Sequence, residues 1–169
     1  YKHQWMVIKA IKQLYDLGYQ LRLTLAGARG AAHKLVEKAI DECDARHFVD
    51  FLGHIDKCDL PNLLANSNIF IFASSCENMP NTLIESMCVG LPIACSNRGP
   101  MPEVLQDGGV YFDPENIPSI KTSIEKIITD KELRNEIANK AKKKSEQYSW
   151  ERCASETMKY LTKIIIDTK

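Results

Sequence analysis

The sequence lacks an excess of charge of either sign. Its 22 Lys and Arg residues balance 22 Asp and Glu residues, so the formal net charge is zero at pH 7. Proteins that hold nucleic acid or an anionic membrane through long-range electrostatics carry a strongly positive surface. We therefore expect no nucleic-acid partner for this chain.

Long hydrophobic runs, internal repeats and low-complexity segments are also missing. No apolar stretch approaches the roughly 20 residues that span a bilayer, and the first residues are not signal-like. At 169 residues, 44% of them hydrophobic, the sequence predicts one globular domain with a substantial core. Because the first residue is Tyr rather than Met, we expect the chain to be a fragment of a longer protein.

The cysteines form no C-x-x-C pair, and the sequence contains no Asp-x-Asp or His/Cys cluster that would hold a metal. The six are Cys43, Cys58, Cys76, Cys88, Cys95 and Cys153. Several lie in apolar segments, which predicts buried free thiols in a reducing compartment. The expected location is therefore the cytoplasm, and no metal or other cofactor is expected.

What the sequence does contain is a strand, a polar turn and a helix in direct succession. An apolar run at 69–73 predicts a buried parallel strand. Pro80 suits the first position of a helix, and Gly90 is placed to end it. The apolar side chains of that helix share one face, and the polar ones share another. The first set is Leu83, Ile84, Met87 and Leu91; the second is Asn81, Thr82, Glu85 and Cys88.

Two carboxylates flank the start of this helix. Glu77 lies in the turn after the strand, and Glu85 projects from the helix itself. Carboxylates can accept hydrogen bonds from sugar hydroxyls, and the unpaired N–H groups at a helix start can bind a phosphate. The combination suits a nucleotide sugar.

Helical and strand patterns alternate over residues 1–113, which predicts a doubly wound, Rossmann-like parallel α/β sheet. Residues 114–169 predict helices only, with Asp130 and Ser149 as N-caps. A strand should precede the first helix in such a fold, so we expect an opening strand outside this sequence. Residues 1–169 are interpreted as a single nucleotide-sugar-binding domain.

These motifs resemble those of a known enzyme family. Glu77, seven residues, and Glu85 followed by Ser-Met-Cys-Val-Gly-Leu-Pro-Ile-Ala resemble the E-x7-E signature of retaining GT-B glycosyltransferases of family 4, the glycosyl transferases group 1. The resemblance covers nearly the whole chain. It implies the C-terminal, donor-binding domain of such an enzyme, with the N-terminal acceptor domain absent.

The resemblance also implies roles for the charged residues. Glu77 would face the donor sugar as the catalytic carboxylate, and Glu85 would bind the ribose of the nucleotide. Lys2 would reach the donor diphosphate. His3 stands where the family usually has glycine.

Further donor contacts follow from the same resemblance. The N–H groups expected to contact the phosphates and the sugar belong to Met79, Asn81 and Thr82. Pro80 occupies a position that is glycine in many members. Gly27 and His54, at the ends of two predicted strands, would lie near the nucleotide base.

The implied reaction moves a hexose-type sugar from a nucleoside-diphosphate sugar to a glycan or lipid-linked acceptor, as in polysaccharide or cell-envelope synthesis. Acceptor contacts would come from the absent domain, so the fragment alone is expected to be inactive. The lysine triplet at 142–144 leaves peripheral association with the inner face of the membrane open.

Two other functions fit the residues. A glycoside hydrolase would use Glu77 and Glu85 as acid and nucleophile across one glycosidic bond. A non-catalytic nucleotide-binding module would use the same α/β sheet without any transfer chemistry.

Overall fold

The structure is a computed structural model that describes residues 1–167. The strands in this range are β1 (Leu23–Ala26), β2 (Val49–Gly53), β3 (Phe70–Phe72), β4 (Ile93–Ser96) and β5 (Val110–Phe112). The α-helices are α1 (Gln4–Asp16), α2 (His33–Glu42), α3 (Leu60–Ala65), α4 (Asn81–Val89), α5 (Met101–Leu105), α6 (Ile117–Thr129), α7 (Lys131–Ser145) and α8 (Trp150–Asp167). Strands and helices alternate up to β5, and only helices follow, as the sequence predicts.

All strand pairs are parallel, but the strands form two sheets. β1 pairs with β2, and β3, β4 and β5 pair in that order. Within residues 1–167, no backbone pairing joins β1 to β3. The parallel α/β class is confirmed, with the sheet divided between its second and third strands.

The larger sheet is covered on both faces. Ala94 and Phe112 belong to a hydrophobic cluster that includes α1 and α6, whereas Ile93 and Cys95 belong to a second cluster with α4 and α5. Neighbouring strand residues point to opposite faces, so each face needs its own cover of helices. This arrangement confirms the doubly wound interpretation.

A cavity of about 660 Å³ lies between the two sheets. It is lined by both facing strands, β1 and β3, and by side chains of α1 and α3. One edge of each sheet therefore faces a space instead of a hydrogen-bonded neighbour.

Local signals set the ends of the helices largely as predicted. Gly90 follows α4 with φ 81°, a left-handed conformation that glycine adopts without strain. The side chains of Asp130 and Ser149 accept backbone N–H groups at 2.9 Å and 3.1 Å. Pro80 lies one residue earlier than predicted: it precedes α4, with ψ 70°, instead of opening it.

Helices α6 and α7 pack onto the sheet, whereas α8 has no buried residue. Its apolar side chains are exposed; the large ones are Trp150, Met158, Tyr160, Leu161, Ile164, Ile165 and Ile166. None of the described helices combines the length and apolar character needed to cross a membrane.

The prediction of buried thiols is wrong for most of the cysteines. Cys95 is buried and Cys43 is half-buried, but the other four are exposed. The reason is local: Cys88 lies on the polar face of α4, and Cys153 lies on α8, a helix with no buried residue. Burial raises the pKa of the Cys95 thiol well above its ordinary value.

Candidate donor-binding site

A lysine from the segment before α1 meets a glutamate in the loop between β3 and α4. The ammonium Nζ of Lys2 contacts Oε1 of Glu77 directly. The Glu77 side chain is 15% exposed, and the Lys2 side chain is 46% exposed. The carboxylate is thus largely enclosed, whereas the lysine approaches it from the solvent side.

Aromatic rings line the path of the lysine side chain. Lys2 Nζ lies 5.1 Å from the ring centroid of Tyr1 and 5.5 Å from that of Phe72. Ring faces attract a cation at such distances. Phe72 belongs to β3, so the rings help to hold the ammonium at the carboxyl end of that strand.

The start of α4 offers backbone donors beside this pair. The N–H of Asn81 donates to the carbonyl of Met79 at 2.9 Å, which closes a tight turn. The N–H groups of Met79 and Thr82 have no acceptor among residues 1–167. Unpaired donors at a helix start favour an anion, both through direct hydrogen bonds and through the helix dipole. Of the three predicted donors, two are therefore available and Asn81 is engaged within the turn.

The two faces of α4 are arranged as the sequence predicts. Leu83 and Met87 are fully buried, whereas Glu85 and Cys88 are exposed on the other side of the helix. The Glu85 carboxylate is therefore accessible to a ligand above the sheet. It has no ion-pair partner among residues 1–167.

The predicted base-contact residues lie at the ends of β1 and β2. Gly27, with φ 140°, donates its N–H to the carbonyl of Gly53 at 2.7 Å, so the two strand ends are adjacent. His54 is exposed, and its Nε2 lies 3.8 Å from Oδ1 of Asp56. Both positions are open to a ligand.

Residues from both halves of this site also border the cavity between the sheets. Lys2 and Thr82 line the cavity between the sheets, and so do Ala26 and Ala28, which flank Gly27. Glu77, Glu85 and His54 lie outside its lining. The structure thus places Lys2, the start of α4 and the end of β1 around a common opening.

Sequence reasoning missed a second connection between the same two segments. Nε2 of His3 lies 2.8 Å from Oγ of Ser75, and the Ser75 N–H donates to the carbonyl of Tyr1 at 2.8 Å. The only signal for it in the sequence was that His3 stands where glycine is usual. His3 adopts φ 44° and ψ 27°, a left-handed conformation in which glycine is normally favoured.

Within the described range, no group of three or more His, Cys, Asp or Glu side chains is arranged to hold a metal ion.

Comparison with known proteins places this chain in a family. The family model described as "Glycosyl transferases group 1" matches residues 1–144. The O-antigen chain mannosyltransferase B of Escherichia coli is 29% identical over 148 residues, which cover 86% of this chain and 39% of that protein. The chain thus spans well under half the length of this curated relative.

Solved structures share the fold at lower identity. A sucrose-phosphate synthase from Thermosynechococcus elongatus matches with TM-score 0.85 and 21% identity over 99% of this chain and 43% of its own. The Anabaena protein Alr3699/HepE, in complex with UDP and glucose, matches with TM-score 0.85 and 22% identity, over 96% of this chain and 45% of its own.

Proposed function

Because the chain belongs to the glycosyl transferases group 1 family, we propose that it is the donor-binding part of a retaining glycosyltransferase of family 4. The donor is a nucleoside-diphosphate sugar that carries a hexose-type unit. The observation that supports this most directly is the contact of Lys2 with Glu77 beside the start of α4. A cation and unpaired N–H groups suit a diphosphate, and an enclosed carboxylate suits the hydroxyls of a sugar.

Lys2 contacts Glu77 when no donor is bound. A diphosphate carries more negative charge than one carboxylate, so it competes for the exposed ammonium of Lys2. Glu77 is the more enclosed of the two side chains, so we expect it to keep its place when the lysine moves. Donor binding therefore exchanges one partner of Lys2 for another and leaves the Glu77 carboxylate facing the sugar.

These groups support transfer chemistry. As the glycosidic bond to the diphosphate breaks, negative charge grows on the leaving phosphate and positive charge grows on the sugar ring. Lys2 and the N–H groups of Met79 and Thr82 stabilise the phosphate because they are fixed before the reaction begins. Glu77 orients the sugar and favours its positive charge, and no metal ion or other cofactor is needed in this scheme.

The nucleoside half of the donor lies on the other side of the helix start. Glu85 accepts hydrogen bonds from the ribose hydroxyls, as exposed carboxylates do in other α/β nucleotide sites. The base lies near Gly27 and His54, at the adjacent ends of β1 and β2. The UDP bound by the Anabaena structural neighbour makes uridine the first base to test.

The acceptor side of the reaction belongs to a preceding domain. The acceptor is a glycan or a lipid-linked saccharide in polysaccharide or cell-envelope synthesis, a role that the mannosyltransferase relative supports. The location is cytoplasmic, at or near the inner face of the membrane. On its own the 169-residue chain binds donor without transferring sugar.

Titration calorimetry of the whole protein with UDP, GDP, ADP and their sugars tests this function. We expect one nucleotide series to bind, and we expect the anomeric configuration to be kept in the transferred product when it is followed by NMR. Binding of a free oligosaccharide with no nucleotide binding would favour the hydrolase. Nucleotide binding with no transfer to any saccharide acceptor would favour the non-catalytic module.

A further inference from the structure

Resting on the proposed function, we propose that His3 and Ser75 are positioning residues of the diphosphate site. They connect the segment that carries Lys2 to the loop that carries Glu77. Together with the Tyr1 carbonyl, they form what we call the clasp: the Ser75 N–H on the Tyr1 carbonyl, and the His3 ring on the Ser75 hydroxyl.

In both segments the residues of the clasp lie close in sequence to the charged residue. Tyr1 and His3 are the two chain neighbours of Lys2, and Ser75 lies two positions before Glu77. These two hydrogen bonds, each 2.8 Å long, and a longer one of 3.4 Å from the Ser75 hydroxyl to the Tyr1 carbonyl fix the spacing between the backbones from which the ammonium and the carboxylate project. None of the three uses the charged groups themselves.

The left-handed backbone conformation of His3 indicates that its surroundings hold it in place. A non-glycine residue in the left-handed region persists only where its surroundings determine it. The residue His3 is 9% exposed, and its ring lies 5.3 Å from the ring of Trp5, centroid to centroid. Burial lowers the pKa of His3, so the imidazole is neutral at pH 7 and meets the Ser75 hydroxyl as a neutral partner.

The clasp matters when the donor binds. The diphosphate draws Lys2 away from Glu77, and the ion pair can then no longer hold the two segments together. The clasp remains closed through this exchange, because its bonds involve only Tyr1, His3 and Ser75. It keeps the ammonium and the sugar-facing carboxylate at a fixed separation, so less ordering is needed on binding.

His3→Gly and Ser75→Ala test this in the whole protein. Glycine accepts φ 44° without strain, so His3→Gly removes the ring and leaves the backbone unchanged. The probe is UDP, or GDP or ADP where the wild-type protein binds that nucleotide, compared with the matching monophosphate. We expect each variant to weaken diphosphate binding about fivefold, the effect of one lost hydrogen bond, and to leave monophosphate binding within twofold.

Three further variants separate positioning from general damage. The double variant should bind no more weakly than Ser75→Ala alone, because both substitutions break the bond between His3 and Ser75, and only Ser75→Ala also removes the hydroxyl that donates to the Tyr1 carbonyl at 3.4 Å. Ser75→Thr keeps the hydroxyl and should restore binding. Asp44→Gly, at φ 47° in the turn before β2, makes the same backbone change away from the site and should leave binding unchanged. Equal loss of mono- and diphosphate affinity, or additive effects, would overturn the clasp.

A second measurement reads the clasp without any nucleotide. The rate of Lys2 acylation, followed by mass spectrometry, should rise several-fold in His3→Gly and Ser75→Ala and stay constant in Asp44→Gly. An unchanged rate would contradict the clasp. If the wild-type protein binds no nucleotide, the proposed function fails. If the wild-type protein binds a nucleotide and the His3 and Ser75 variants bind it equally well, the proposed function stands and the clasp fails.

Discussion

The Lys2 ammonium lies against the Glu77 carboxylate although 75 positions separate the two residues in the chain. The contact is unequal, because Glu77 is mostly covered and Lys2 is nearly half exposed. A ligand arriving from solvent can therefore displace the lysine more easily than the carboxylate. This asymmetry suggests opposite effects of substitutions at the two positions.

Lys2→Met should weaken nucleoside-diphosphate binding about tenfold, because a charge-assisted contact to phosphate is lost. Calorimetry at low and high salt measures this, and the wild-type advantage should shrink with salt. Lys9→Met is the matched control, since Lys9 lies on α1 and pairs with Glu42 of α2 at 2.9 Å. Equal losses in both variants would contradict the role of Lys2.

Glu77→Gln should act in the opposite direction on binding. Without the carboxylate, Lys2 has no internal partner to give up, so the affinity for the diphosphate should be unchanged or up to a few-fold tighter. Transfer of the sugar should nevertheless fall, because the carboxylate that faces the ring is gone. A variant with weaker diphosphate binding and wild-type turnover would refute this assignment.

Glu85→Gln should weaken binding of the mono- and diphosphate nucleotides equally, about fivefold, since a ribose contact does not depend on the number of phosphates. Titration of both ligands provides the comparison. Cys88→Ser is the control, because Cys88 is exposed on the same face of α4. A loss seen only with the diphosphate would indicate that Glu85 acts at the phosphates and not at the ribose.

Asp107 provides a pH test of stability that is independent of function. Hydrogen bonds to Lys144 and Lys140 lower the pKa of its carboxyl to about 2 in the folded state. The ionised carboxyl therefore stabilises the folded state fully above its unfolded pKa, near 4, and this stabilisation is lost as the pH falls toward 2. In denaturant titrations, Asp107→Asn should be less stable than wild type at pH 7, and the difference should shrink below pH 4.

The cavity between β1 and β3 leads to a prediction about the fold. We propose that a strand preceding Tyr1 fills it, since the Ser75 N–H already pairs with the Tyr1 carbonyl just beyond β3, in the manner of a sheet. Extending the 169-residue chain by its natural preceding residues should raise Tm by about 5 °C or more. It should also slow amide exchange in β1 and β3. An unchanged Tm with unchanged exchange would show that the cavity stays empty.

Sequence patterns predicted the elements well where the signal was local. The alternation of apolar and polar residues placed α4 and its exposed Glu85, and glycine and capping residues placed helix ends such as Gly90 and Asp130. These features depend on contacts within a few residues. A short stretch of sequence is therefore enough to predict them.

Long-range features could not be predicted in the same way. The partner of Lys2, the clasp of His3 and Ser75, and the division between the two sheets depend on how distant segments meet. The exposure of four cysteines was misjudged for the same reason. An apolar neighbourhood in sequence does not decide which face of a helix a thiol occupies, or whether that helix covers a core.

The position of α8 has a consequence for how the chain melts. The helix runs over 18 residues with none of them buried, and a helix of that length is only marginally stable in water without packing. We therefore expect α8 to unwind at lower temperatures than the rest of the chain, so that helical signal is lost gradually on warming while the sheets stay intact. The far-UV circular dichroism signal will then begin to fall before the backbone amides of β3 and β4 lose their protection from exchange.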